Sequence, residues 1–250
     1  MTPLPFGSNV LLPDGEETLP GIPPASESRR LANIVATRRR HYGDRTDLHV
    51  LHLGCRDGSM AAELARLGYG VTGIEARSGN MACCQYLQSR LGLSRLNFIQ
   101  GDVKTMALPE ADVIVCFGLL YHLDYPRTFL LKLAVNAARL LLVHSHYALP
   151  ERANPLYPAQ GALCFHDGLL GRWVREYYGP FTPEAVADNP SSAFSNDRSF
   201  WLTRASLLCA MYAAGYHRVA EHFDYHRDME AAMAYIARHD RSLFVGAKDQ

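Results

Sequence analysis

From Leu48 onward the chain alternates short β-rich runs with amphipathic stretches: HVLHL, SMAAELARLG, GVTGIEA, GNMACCQYLQSRLG and RLNFIQG follow one another closely. Parallel strands need crossovers long enough to return across the sheet, and helices serve as those crossovers, so this alternation predicts an α/β fold with helices on both sheet faces. It continues through DVIVCFG, a helix around Pro126 to Ala138, and RLLLVHSHY, a run apolar enough to be a central strand. Between Ala148 and Trp201 it stops, and Pro, Gly, Asn and aromatic residues crowd together with little periodicity. Such length without elements marks a lid or binding loop. Beyond it, TRASLLCAMYAAG, HRVAEHF, DMEAAMAYIARH and SLFVGAK read as helix, strand, helix and strand. Ahead of the alternation, residues 1–25 are rich in Pro and Gly and read as irregular, and SESRRLANIVATRRRHYG reads as a covering helix ending at a glycine.

In open α/β sheets ligands bind beyond the carboxyl ends of the strands, which directs attention to VLHLGCRDGSM, a strand running into a turn with Gly54 and Gly58. Three residues separate those glycines, whereas a dinucleotide turn requires G-x-G-x-x-G, so the spacing argues against NAD. The second strand ends at Glu75, where a carboxylate can accept both hydroxyls of a ribose. The third is followed by Gly101–Asp102, with Asp102 placed to accept from an adenine amino group. Three such features in order at successive strand ends describe a nucleoside-bearing cofactor site.

The succession VLHLGCRDG, GIEA, GDV and DVIVCFGLLYHLDYP resembles the class I S-adenosylmethionine-dependent methyltransferases, over roughly the middle hundred residues. The resemblance implies a Rossmann-like, seven-stranded, mostly parallel sheet whose last strand is reversed, with S-adenosyl-L-methionine as cofactor. It places Gly54, Cys55, Arg56 and Gly58 around the methionine portion, Glu75 and Ala76 at the ribose, Asp102 and Val103 beside the adenine, and Phe117, Gly118 and Leu119 along the cofactor after the fourth strand. Two positions depart from the family pattern. His52 stands where an acid commonly orients the cofactor's amino group, and Arg56 replaces a glycine, which the turn tolerates if its φ stays negative. GLLYHLDYP and SFWLTRASLLCAMYAAGY resemble the branch holding wobble-uridine transfer-RNA enzymes and methyltransferases of natural-product clusters. Some of those enzymes use a carboxylated cofactor held by basic groups; ordinary S-adenosylmethionine is the better expectation here. The implied organisation is an N-terminal extension and covering helix over 1–47, a core over 48–147 and 202–250, and an acceptor-binding insertion over 148–201.

A methyl sulfonium is already electrophilic, so the protein must align an acceptor, exclude water and, where the acceptor carries a proton, remove it. His122, after the fourth strand, and His146, at the end of the fifth, are the candidate bases. Tyr121, Tyr147, His166, Trp173, Arg175, Phe200, Trp201 and Arg204 are the candidate acceptor-binding residues, with Glu176, Tyr177 and Tyr178 around the same pocket mouth. His144, His146, His166 and Asp167 are metal-ligand types, but no recognised spacing completes a set, and no metal is expected.

The acceptor expected is a small, secondary-metabolite-like molecule. The alternatives are an RNA substrate, suggested by the branch and by clusters at Arg29–Arg30 and Arg38–Arg40, and a non-catalytic scaffold with a spoiled cofactor turn. Lysine plus arginine equals aspartate plus glutamate, at 25 each, so no overall field gathers a polyanion, and the basic clusters read as the solvated face of a helix. Six cysteines without a CxxC pair, no signal-like N-terminus and no long uncharged apolar run lead to the expectation of a cytoplasmic protein without a membrane partner.

Overall fold

The computed structural model describes residues 4–157, 160–222 and 228–249. The chain divides into two compact units, Met1–Val115 and Cys116–Gln250.

In the first unit, the side chain of Ser28 accepts from Arg30 N and so caps α1 (Arg29–Tyr42), which Gly43 ends at a φ of 64°. The basic cluster on this helix is not all solvated face. Arg38 is buried, donating to the carbonyls of Gly43 at 2.5 Å and Arg45 at 3.0 Å and to the Tyr69 hydroxyl, while Arg39 pairs with Asp44 at 2.7 Å. A guanidinium at a helix C-terminus satisfies orphan carbonyls, which is why this one turns inward. There follow β1 (His49–Leu53), α2 (Ser59–Arg66), β2 (Gly70–Glu75), α3 (Ser78–Leu91) and β3 (Leu96–Gln100). β2 pairs in parallel with both β1 and β3, and its residues are buried throughout, as expected of a strand covered on both faces. Leu51, Leu53, Leu64, Ile74 and Leu87 are fully buried and hold helices and strands together.

β4 (Val113–Phe117) pairs with β1 through Val113–Val115, and its last two residues open the second unit. After it come a 3-10 turn (Leu120–His122), α4 (Pro126–Ala134), β5 (Leu140–His146), β6 (Gln160–His166), β7 (Leu169–Arg175), α5 (Pro183–Asp188), β8 (Arg198–Leu202), α6 (Arg204–Ala213), β9 (Arg218–His222), α7 (Met229–His239) and β10 (Arg241–Ala247). The seven-stranded sheet runs β3-β2-β1-β4-β5-β10-β9, with β10 antiparallel to β5 and to β9, which is the reversed last strand expected of the Rossmann-like methyltransferase fold. Among the described residues no helix is long and apolar enough to cross a membrane.

Two expectations change. α4 stops at Ala134 rather than Ala138, because the Asn136 side chain accepts from Ala138 N at 3.1 Å and Lys248 takes the carbonyls of Ala134 and Asn136 at 2.9 and 2.8 Å. The segment read as irregular contains a second sheet, β6-β7-β8, antiparallel throughout. Its first hairpin turns on Asp167 and Gly168, both at positive φ (52° and 75°), the backbone that a tight two-residue connection demands. No residue of β6 is buried and its exposed and half-buried positions do not alternate, so it carries no apolar alternation to betray a strand.

Candidate active site

In the first unit the turn after β1 is tied to the end of β2. The Glu75 carboxylate, 7% exposed, accepts Arg56 N at one oxygen and Arg77 N at the other, both at 2.9 Å. Burial raises the Glu75 pKa, and its hydrogen bonds from Arg77, Asn80 and Arg56 only partly offset this. Arg56 has a φ of 55°, so the condition under which the turn tolerates a non-glycine residue, a negative φ, is not met. The residue occupies the left-handed region where a glycine would sit without strain. Its guanidinium lies against Gly7, whose backbone N donates to Asp57 at 2.8 Å, so residues near the N-terminus pass over the turn. Gly54 and Gly58 also have positive φ, 65° and 80°. Cys55 is buried with its Sγ 3.9 Å from that of Cys84. His52 is buried, its Nδ1 makes no hydrogen bond, and burial lowers its pKa to about 4, which keeps it neutral.

Beside this, the Ala76 carbonyl accepts from Gln100 at 3.3 Å, and Gly101 N donates to the Glu75 carbonyl at 3.0 Å. The Asp102 side chain accepts Lys104 N at 2.9 Å and Val103 is buried, so one carboxylate oxygen of Asp102 already shapes its own turn.

In the second unit Phe117 ends β4 beside His144, and Gly118, with a φ of 74°, donates its N–H to the His144 carbonyl at 3.0 Å. Leu119 leads into the 3-10 turn, and Phe200 N donates to Leu123 O at 2.8 Å, which seats that turn on β8. His122 is held there. Its Nδ1 lies 3.0 Å from each carboxylate oxygen of Glu176, whose side chain is 7% exposed and also accepts from Ser199 Oγ at 2.6 Å and Ala193 N at 2.9 Å. Sequence reasoning placed Glu176 near a pocket mouth without seeing this bond, which no local pattern announces.

His146 is buried. It donates from Nδ1 to the His239 carbonyl at 2.8 Å and stacks on Trp201 at 4.6 Å and 12°. Burial, with Arg241 adding to it, lowers its pKa to about 3. Tyr121 and Tyr157 stand edge-on to it at 4.6 and 4.8 Å.

The remaining acceptor-site candidates separate. Phe200 and Trp201 are consecutive on β8 and therefore face opposite ways. Trp201 joins Tyr121, His146 and Tyr157, whereas Phe200 joins His166 at 5.0 Å and Trp173 at 5.2 Å, with Arg198 over the Trp173 ring. His166 Nε2 is bonded to the Asp124 carbonyl at 2.9 Å, and Asp167 accepts Thr128 N and Oγ1. Tyr147 is buried beside Phe244, burial pushing its pKa up to about 12. Arg204 is bonded to Glu221, and Arg175 is exposed at the end of β7. Among the described residues no group of three or more His, Cys, Asp or Glu is placed to hold a metal ion.

Residues 51–137 match a family model described as a methyltransferase domain. Over 105 residues the chain is 29% identical to a ubiquinone biosynthesis O-methyltransferase of Rickettsia felis, a match covering 42% of this chain and 43% of that protein. Among solved structures, the N-terminal domain of EvdMO1 with SAH bound gives a TM-score of 0.63 at 23% identity, covering 86% of this chain and 80% of that one. Magnesium protoporphyrin IX methyltransferase (ChlM) from Synechocystis PCC 6803 with bound SAH gives 0.55 at 14% identity, covering 90% and 84%. At these identities the structural likenesses establish the fold.

Proposed function

We propose that this chain is an S-adenosylmethionine-dependent methyltransferase acting on oxygen or nitrogen of a small-molecule acceptor. The observation that carries the reading is the Glu75 carboxylate, fixed at the end of β2 by the backbone N–H groups of Arg56 and Arg77. Three hydrogen bonds, from Arg56, Arg77 and Asn80, leave one of its roughly four lone-pair positions for a ribose hydroxyl. His52 fits the same cofactor: a neutral imidazole with an unused Nδ1 accepts from an ammonium group, where a charged one would repel it. The matched methyltransferase family model over residues 51–137 supports the same assignment.

When bound, the cofactor supplies a methyl group already activated on a sulfonium, which leaves the chain to bind, orient and deprotonate. We assign the proton transfer to His122. Glu176 engages its Nδ1, so Nε2 carries the lone pair that receives the acceptor's proton, and the ionised carboxylate then stabilises the imidazolium. His146, with a pKa near 3 and its Nδ1 proton committed to a carbonyl, is a poor base at neutral pH; we assign it to holding the Trp201 ring in place. Residues 148–201 we take as the acceptor-binding segment, its Trp201 side facing the candidate base. The balance of charge, and the internal partners of Arg38 and Arg39, weigh against an RNA acceptor. Six free cysteines favour a reducing compartment such as the cytoplasm.

Titration calorimetry with S-adenosylmethionine and S-adenosylhomocysteine tests the reading. Micromolar binding is expected, weakened about 10- to 100-fold in Glu75→Gln, the worth of hydrogen bonds to a charged group. No heat with either ligand at millimolar concentration would leave a scaffold that keeps the fold alone.

A further inference from the structure

We propose that Arg241 binds a carboxylate carried by the acceptor, away from the atom that is methylated; the proposal rests on the methyl-transfer reading above. Arg241 opens β10 directly opposite His146 on β5, so their side chains share a sheet face. Its guanidinium stands 5.1 Å from the centre of the Tyr121 ring and close to Gly118, where an added Cβ would lie 3.6 Å from Nη2. The Nε is buried without a hydrogen bond, and among the described residues Arg241 has no acidic partner.

The neighbouring acids are engaged elsewhere. Asp240 is taken by Arg152 at 3.3 Å and Asn154 at 2.5 Å, and Glu176 by His122, Ser199 and Ala193. A partly buried cation without a counter-charge is unfavourable until something supplies one.

A second orphan stands at the same ring. Trp201 is 4% exposed, contacts Tyr121 at 5.9 Å and Tyr157 at 5.1 Å, and its Nε1 has no hydrogen-bond partner. Guanidinium and indole N–H groups only donate, so the complement is a group rich in lone pairs, and a carboxylate offers about four. A single cation suits a monoanion; a phosphate dianion calls for more positive charge than Arg241 provides. The aromatic walls suit a flat or apolar body behind the carboxylate.

The test uses benzoate and benzamide, which share a shape and differ in charge. The full chain has two tryptophans, so its indole N–H spectrum is simple, and the Trp201 resonance is identified by its loss in Trp201→Phe. In protein saturated with S-adenosylhomocysteine, benzoate is expected to shift that resonance and bind at least about tenfold more tightly than benzamide. Arg241→Met should abolish the preference and Arg241→Lys retain part of it, with S-adenosylhomocysteine affinity within about twofold of the parent in both. Equal binding of the two probes, or no benzoate binding at millimolar concentration, would overturn the proposal. So would an Arg241→Met chain that binds S-adenosylhomocysteine tenfold more weakly, since the guanidinium would then serve the cofactor's own carboxylate. Repeating the benzoate titration without the cofactor product separates the two claims: a preserved preference in a chain that ignores S-adenosylhomocysteine sinks the methyl-transfer reading and leaves the anion site standing.

Discussion

His122 and Glu176 are 54 residues apart in the chain, yet the His122 Nδ1 lies 3.0 Å from both oxygens of the Glu176 carboxylate. Burial alone would raise that carboxyl's pKa, but the bonds from His122, Ser199 and Ala193 outweigh it and hold the pKa below the ordinary value of 4.5. The carboxylate therefore stays ionised through neutral pH and fixes the histidine tautomer.

Removing either partner should slow turnover while sparing the cofactor. His122→Ala is expected to lower kcat by about 10²- to 10⁴-fold and Glu176→Gln by at least about tenfold, with S-adenosylhomocysteine binding within about twofold of the parent. Nitrogen chemical shifts of the His122 ring, which report the Nδ1–H tautomer in the parent and its loss in Glu176→Gln, check the cause independently of any acceptor. The sign with pH also follows. Glu176 contributes stability in full above pH 4.5 and loses it as pH falls through its lowered folded value, and Glu176→Gln removes that dependence.

Arg56→Gly should stabilise the first unit. The φ of 55° costs a non-glycine residue about 1 kcal/mol, and relieving it in a chain of this size raises Tm by about 2–4 °C. The bond from residue 56 N to Glu75 belongs to the backbone and survives, so cofactor-product affinity should hold within about threefold. A fall in Tm would show that the guanidinium's contact with Gly7 outweighs the backbone strain.

Gly171→Ala should damage the second sheet. An added Cβ would fall on the Trp201 carbonyl and lie 2.6 Å from the Phe200 ring, both rigidly placed on β8. Overpacking of this kind costs about 1–3 kcal/mol, visible as a lower midpoint in urea.

Stability should fall as pH drops from about 6.5 toward 3, because His146 binds its proton near 6.5 when unfolded and near 3 when folded. The folded state holds fewer protons across that window, so acid favours unfolding, by about 2 kcal/mol at pH 5. His146→Asn should unfold with a shallower dependence on pH between 7 and 5, and an unchanged slope would count against the buried, neutral imidazole.

The central sheet was legible because its strands and helices alternate and its strands are apolar enough to be covered on both faces; Glu75 was legible because a strand end is a fixed address. Glu176 and Arg241 were not, since their roles arise from partners brought together by tertiary structure, and such contacts leave no periodic trace. The second sheet did leave one. Asp167–Gly168 is a hairpin signal, but β6 beside it has no buried position and no apolar alternation to mark it as a strand. Arg38 shows the converse error, a charge assigned to solvent that the end of its own helix draws inward.

Back-to-back placement of Phe200 and Trp201 makes β8 a partition wall. On the proposed acceptor-binding reading, substitutions among Tyr121, Tyr157 and Trp201 would reshape what is recognised while the Phe200, His166 and Trp173 packing on the reverse side stays untouched, so acceptor choice would drift by point mutation without the wall itself coming down.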